Sequence, residues 1–126
     1  AQAGHEIVAL DDMSRGVPAQ VADAAKVLGR TIPCEVGDAG DEAVLSSLFL
    51  RHGIEAVVHL AAGKSVEESL ADPAAYERQN VGVTLSLARA MRSAGLHRVI
   101  FASTAAVYGD ARQIPVPEGA PLAPMS

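Results

Sequence analysis

Two adjacent hydroxyls, Ser103 and Thr104, follow directly on the apolar run RVIF at 98–101, which delivers them to a place where chemistry would occur. A run containing Val99, Ile100 and Phe101 has the composition of a strand buried on both faces of a parallel sheet. In open α/β sheets ligands bind just beyond the carboxyl ends of the strands. The small residues Ala102, Ala105 and Ala106 leave room there for a flat ring. The competing reading is that Ser103 and Thr104 satisfy backbone groups at a strand end, as such residues often do.

Four other positions have comparable placement. Asp11 closes the apolar run at 7–10, where a dinucleotide fold sets an acid against the adenosine ribose hydroxyls; taken alone it reads rather as a loop acid with no ligand. An acid there repels a 2′-phosphate and favours NAD over NADP, whereas Arg15 nearby would accept that phosphate. Asp38 follows Gly37 and can either meet an adenine edge or cap the next helix. Lys64 comes after Leu60-Ala61-Ala62-Gly63, a small-residue stretch that lets backbone approach a ligand. Its ammonium can reach a phosphate or a nicotinamide ribose, or it is simply solvated. Asn80 sits among apolar residues on a predicted helix, and an amide near a core needs partners. It is expected to pin the loop beyond the fourth strand rather than to touch a ligand. The four histidines have no metal-ligand spacing, and no P-loop, paired-cysteine motif or nucleophile elbow occurs.

The elements that must position these residues follow from apolar spacing and stop signals. Strands are expected at 7–10, 32–36, 55–60 and 98–101. A helix is expected at 19–28, and another runs from an Asp41 cap to about 52 with Val44, Leu45, Leu48 and Phe49 on one face and Gly53 after its end. A short helical piece reaches Leu70. Asp72-Pro73 then caps and opens a long helix to about 94, with Tyr76, Val83, Leu87, Met91 and Ala94 on one stripe and Gly95 as its stop. A loop with Pro115, Pro117, Pro121 and Pro124 closes the chain. Strands alternating with helices, without hairpin signals, predict an α/β fold with one doubly wound parallel sheet.

Composition narrows the partners. A chain of 126 residues suits one small domain, and with aromatics at only 3% its core must be built from aliphatic residues. A net charge of -5 without a basic run argues against nucleic acid, and scarce aromatics remove base-stacking platforms. The single cysteine, Cys34, permits no internal disulfide; it reads as a small core residue in a reducing, cytoplasmic compartment. No 18-residue apolar run exists, so no membrane partner is expected. AQAGHE reads as the end of a helix at Gly4 entering a strand, and APMS stops inside a Pro-rich loop. A piece of a longer protein is expected.

Taken together, Asp11-Asp12-Met13-Ser14-Arg15-Gly16, Gly37-Asp38, the run from His59 through Lys64-Ser65-Val66-Glu67-Glu68 to Ser69, Asn80-Val81 and Ser103-Thr104-Ala105-Ala106-Val107-Tyr108-Gly109 closely resemble the extended short-chain dehydrogenase/reductase family, whose members include the NAD-dependent epimerases and dehydratases. The resemblance covers nearly the whole chain in matching order. It implies a Rossmann-like sheet and bound NAD. Asp11 would bind the adenosine ribose, while Asp12, Met13, Ser14, Arg15 and Gly16 line the adenosine. Asp38 and Ala39 would contact adenine, and Leu60, Ala61, Ala62 and Lys64 would run along the pyrophosphate and nicotinamide side. Asn80, Ala102 and Ser103 would complete the cofactor pocket, and Lys64 and Thr104 would reach the substrate, with Thr104 as the catalytic hydroxyl on the reacting sugar oxygen.

For the intact protein the resemblance implies a nucleotide-sugar epimerase that passes a hydride transiently to NAD, with a UDP-sugar substrate and a homodimeric state. A dehydratase or reductase of the same family, or a non-catalytic dinucleotide-binding protein, are the alternatives. The family commonly has Asn-Val-x-Gly-Thr where this chain has Asn80-Val81-Gly82-Val83-Thr84, so local helix packing is expected to differ. Its glycine-rich turn and first strand are expected before Ala1 and its Tyr-x-x-x-Lys pair after Ser126. Residues 1–126 would then form an incomplete Rossmann domain, lacking a central strand and unable to fold well by itself, with the substrate domain beyond it.

Overall fold

Short aliphatic runs cut off by polar or small residues produce strands of only three residues each, starting one or two residues later than the sequence suggests. The computed structural model describes residues 4–16, 18–111 and 113–125. Strands β1 (Ala9–Asp11) and β2 (Cys34–Val36) pair in parallel with Ala9 opposite Cys34. Strands β3 (Val57–His59) and β4 (Val99–Phe101) do the same with His59 opposite Phe101. Helix α1 (Pro18–Leu28) joins β1 to β2, and α2 (Glu42–His52) leads on to β3. Between β3 and β4 lie α3 (Val66–Ala71), α4 (Pro73–Glu77), a π-helical turn at Arg78–Gly82 and α5 (Val83–Ser93); a 3-10 turn at Ala105–Tyr108 follows β4. The helix end expected at 1–4 falls largely outside the described residues, although Gly4 has the positive φ of 84° that such an end requires.

The strands are parallel, as expected, and they stand as two pairs, the arrangement expected of a sheet lacking a central strand. The Ala9 N–H donates to the Pro33 carbonyl and Asp11 accepts from the Gly37 N–H, so these residues turn their backbone groups toward β2. Alternation along the strand turns those of Leu10 the other way. Likewise Val57 donates to the Arg98 carbonyl and His59 accepts from Ala102, which leaves the Val58 groups facing away from β4. Among the described residues no strand pairs with either of these second edges.

The same openness corrects two expectations. Val99, Ile100 and Phe101 are 53–67% exposed rather than buried on both faces, because among the described residues β3 is the sole strand beside β4 and the preceding helix α5 packs on α2 instead. Cys34 is exposed, not a core residue, since β2 has β1 as its only strand neighbour among the described residues.

Leu45, Leu48 and Phe49 of α2 meet Leu87, Ala90 and Met91 of α5, and Val8, Leu10, Ile54, Val57 and Leu96 pack around them. Asp41 opens α2 by accepting from the Ala43 and Val44 N–H groups at 2.8 and 3.3 Å, and Gly53 closes it in the left-handed conformation. Ala94, expected on the buried stripe, is an exposed helix cap; Ala90, one turn earlier, takes the buried position. Ala90 is 1% exposed, so Ala90→Leu should overfill the helix interface and cost about 1–3 kcal/mol, read as a lowered urea midpoint.

Candidate functional site

The chain leaves β1 through two successive side-chain turns. Asp11 Oδ1 accepts from the Met13 N–H at 2.7 Å, and Asp12 Oδ1 accepts from the Ser14 N–H at 2.8 Å and its hydroxyl at 2.6 Å. The Ser14 hydroxyl and backbone N–H hold the Asp12 carboxyl below its ordinary range. Met13 is driven to a φ of 59°, a conformation uncommon for a residue with a side chain. Gly16 folds back onto Asp11 so closely that a Cβ there would lie 2.8 Å from Asp11 Oδ1. Arg15 reaches across to Glu68 of α3; the pair is half exposed, and Glu68 holds the guanidinium firmly charged.

At the end of β2, Asp38 Oδ1 accepts from the Gly40 N–H at 2.6 Å. It makes its own turn, and the side chain capping α2 is Asp41, three residues on.

The end of β3 is organised by Asn80. Its Oδ1 accepts from the Gly63 N–H at 2.8 Å and its Nδ2 donates to the Gly63 carbonyl at 3.0 Å. Asn80 was expected to pin the loop beyond the fourth strand. It clamps the loop beyond the third, because the π-turn that carries it lies against Gly63. Gly63 is buried so tightly that a Cβ would meet Gln79 Oε1 at 2.7 Å and the Tyr76 ring at 3.0 Å. The Tyr76 hydroxyl is buried and without a partner among the described residues. Thr84 donates from Oγ1 to the Asn80 carbonyl at 2.7 Å, and His59 Nε2 lies 3.1 Å from the same oxygen. Burial pushes the His59 imidazole below its ordinary value, toward the neutral form.

A cleft of about 770 Å³ gathers the ends of β1, β2 and β3. Asp11, Asp12, Ser14, Arg15, Gly16, Asp38, Ala39, Leu60, Ala61 and Ala62 line it. Met13, Lys64, Asn80, Ala102, Ser103 and Thr104 stand outside that lining. Lys64 is exposed just beyond Gly63, and Asn80 acts from behind the loop. The Ala102 N–H extends the sheet by donating to the His59 carbonyl at 3.1 Å. Ser103 is exposed. Thr104 Oγ1 accepts from the Ala106 N–H at 3.1 Å, capping the 3-10 turn, and its hydroxyl proton remains available to another acceptor. Because β4 runs parallel to β3, Thr104 leaves on the edge where Lys64 lies.

Sequence reasoning missed Arg78, Gln79, Ser86 and Arg89, which line the helical wall of the cleft. With Ala75 and Gly82, which also line it, Gln79, Ser86 and Arg89 recur every three to four residues, and that spacing was the available signal. Arg89 is held by Glu42 Oε1 at 2.7 Å and the Ser86 hydroxyl at 3.0 Å. A second, apolar groove of about 640 Å³ between α1 and β2 contains none of the predicted site residues.

Over residues 1–126 the chain matches the family model described as the NAD dependent epimerase/dehydratase family. It is 40% identical over 117 residues to a UDP-glucose 4-epimerase of Klebsiella pneumoniae, covering 93% of this chain and 84% of that sequence. It is 39% identical over 117 residues to a UDP-glucose 4-epimerase of Neisseria gonorrhoeae, again covering 93% of this chain. The chain spans about a third, 35%, of the length of that second relative. Among solved structures, a UDP-glucose-4-epimerase from Stenotrophomonas maltophila, crystallised with bound NAD and formylated UDP-arabinopyranose, superimposes with a TM-score of 0.91 at 33% identity, over 99% of this chain and 37% of that one.

Proposed function

The chain belongs to the NAD-dependent epimerase/dehydratase family, and on that premise we propose that it is the cofactor-binding part of a longer UDP-glucose 4-epimerase, which interconverts UDP-glucose and UDP-galactose in galactose metabolism. The observation that carries the proposal is the shared cleft at three parallel strand ends, with an acid at Asp11 and a clamped small-residue loop at 60–63.

The residues present fit an NAD molecule. Asp11 offers a carboxylate with one oxygen already oriented by Met13, which leaves acceptor capacity for ribose hydroxyls. Gly16 and Gly63 keep the walls close where a Cβ would intrude, and the unpartnered Tyr76 hydroxyl lies beside that loop. With Arg15 engaged by Glu68, the acids at 11 and 12 disfavour a 2′-phosphate, which supports NAD over NADP. NAD, when bound, supplies a reversible hydride acceptor. Asp38 and Ala39 would flank the adenine, Leu60, Ala61 and Ala62 the pyrophosphate, and Ala102 and Ser103 the nicotinamide side. Lys64 would reach from the nicotinamide ribose to the substrate. Thr104, its oxygen accepting from Ala106, would present its proton to the reacting sugar oxygen.

The unpaired edges of β1 and β3 suit a further parallel strand inserted between them, and the acid-base pair and substrate domain would lie in the remainder of the protein. A homodimer in the cytoplasm is the expected setting. The test is to incubate the purified intact protein with UDP-glucose and no added nucleotide. Approach to a UDP-glucose/UDP-galactose equilibrium is expected. Release of a 4-keto-6-deoxy sugar would make it a dehydratase, and NAD uptake without turnover a binding protein.

A further inference from the structure

We propose that His59 is a positioning residue: donating from Nε2 to Thr84, it fixes the π-turn from which Asn80 clamps Gly63, and so sets the loop at 60–63 against the cleft. His59 is 5% exposed, in a strand whose other residues are Val57 and Val58, and a buried polar ring in such company requires a partner. That partner determines its tautomer. The Thr84 hydroxyl has one proton, and because a carbonyl can only accept, the proton goes to the Asn80 carbonyl at 2.7 Å. The same oxygen, 3.1 Å from His59 Nε2, can therefore only accept, so Nε2 carries the hydrogen.

The consequence reaches three elements. Thr84 stands at the start of α5 and ties back to Asn80 inside the π-turn, where the regular helical ladder is interrupted. Asn80 in turn holds both backbone groups of Gly63, four residues beyond His59. On its other side the His59 ring packs against Phe101 of β4, with centroids 5.5 Å apart, and the His59 carbonyl receives Ala102, two residues before Thr104. One side chain thus braces the loop of β3, the turn before α5 and the strand that carries Thr104. The part of the inference that concerns cofactor affinity rests on the proposed NAD reading; the hydrogen-bond assignment does not.

The test uses the intact protein. Imidazole 15N shifts from histidine-labelled protein should show His59 neutral with hydrogen on Nε2 at pH 7; hydrogen on Nδ1 would overturn the proposal. His59→Phe keeps a ring beside Phe101 but removes the donor, and Thr84→Val removes the acceptor while preserving shape. His59→Phe should weaken NAD binding about fivefold to tenfold, the effect of one neutral hydrogen bond, and Thr84→Val, which also removes the donor to the Asn80 carbonyl, at least as much. The double variant should be no weaker than Thr84→Val alone, since that change already breaks the link to His59. His59→Gln, whose amide can donate to Thr84, should recover most of the affinity. Equal losses in His59→Gln and His59→Phe, or additive losses in the double variant, would overturn it. Should the wild-type protein take up no NAD, the proposed function fails, and the 15N shifts still decide the link between His59 and Thr84.

Discussion

Replacing Asn80 by alanine is expected to destabilise the intact protein by about 2–6 kcal/mol, because it leaves the buried N–H and C=O of Gly63 without partners at roughly 1–3 kcal/mol each. Both bonds are short, at 2.8 and 3.0 Å, and they engage the two backbone groups that flank the Cα of one glycine. Water cannot easily replace the amide, since Gly63 is buried with the Tyr76 ring and Gln79 closely over its Cα. Asn80→Asp separates the two contributions. It retains the acceptor for the Gly63 N–H and loses the donor to its carbonyl, so its cost should be intermediate. Urea unfolding of the three proteins measures this, and a loss below about 0.5 kcal/mol in Asn80→Ala would show that the clamp contributes little. NAD affinity should fall in the same order, because the displaced loop includes Leu60, Ala61 and Ala62, all lining the cleft.

Asp11→Ala should weaken NAD binding by about 100-fold or more with little change in stability. Two hydrogen bonds from ribose hydroxyls to a carboxylate are worth roughly 1.5–3 kcal/mol each, and each 1.4 kcal/mol is tenfold in affinity. Stability should change by no more than about 1 kcal/mol, since the bond lost within the protein, from the Met13 N–H, lies in an exposed turn. The single change should not confer NADP binding, because Arg15 stays paired with Glu68. Adding Glu68→Gln frees the guanidinium, and the double variant should gain NADP affinity over Asp11→Ala alone. Calorimetric titration with both nucleotides checks each step. Wild-type affinity for NAD in Asp11→Ala would remove Asp11 from the site.

Much of the scaffold was readable from local pattern. The alternation of four strands with helices, the Asp41 and Asp72 caps, the Gly53 stop and the apolar face of α2 all depend on residues within about one helical turn of each other. Their physical causes are complete in the local chain, so its residue order suffices to specify them. It also determined which side chains stand at strand ends, and hence Asp11, Asp38 and the small residues at 60–63.

The partners of the polar groups were decided only by the tertiary structure. Asn80 finds Gly63 across 17 positions, His59 finds Thr84 across 25, and Arg15 finds Glu68 across 53. A hydrogen bond needs two groups within about 3 Å, and no local periodicity specifies which distant segments approach so closely. The π-turn belongs to the same class. It lies where Gly82 departs from the family spacing, but its consequence, Asn80 facing Gly63, exists only once β3 and α5 are packed side by side. The exposed faces of β4 were likewise beyond local pattern. An aliphatic run predicts that a strand can be buried; whether other segments cover it is a property of the assembled fold.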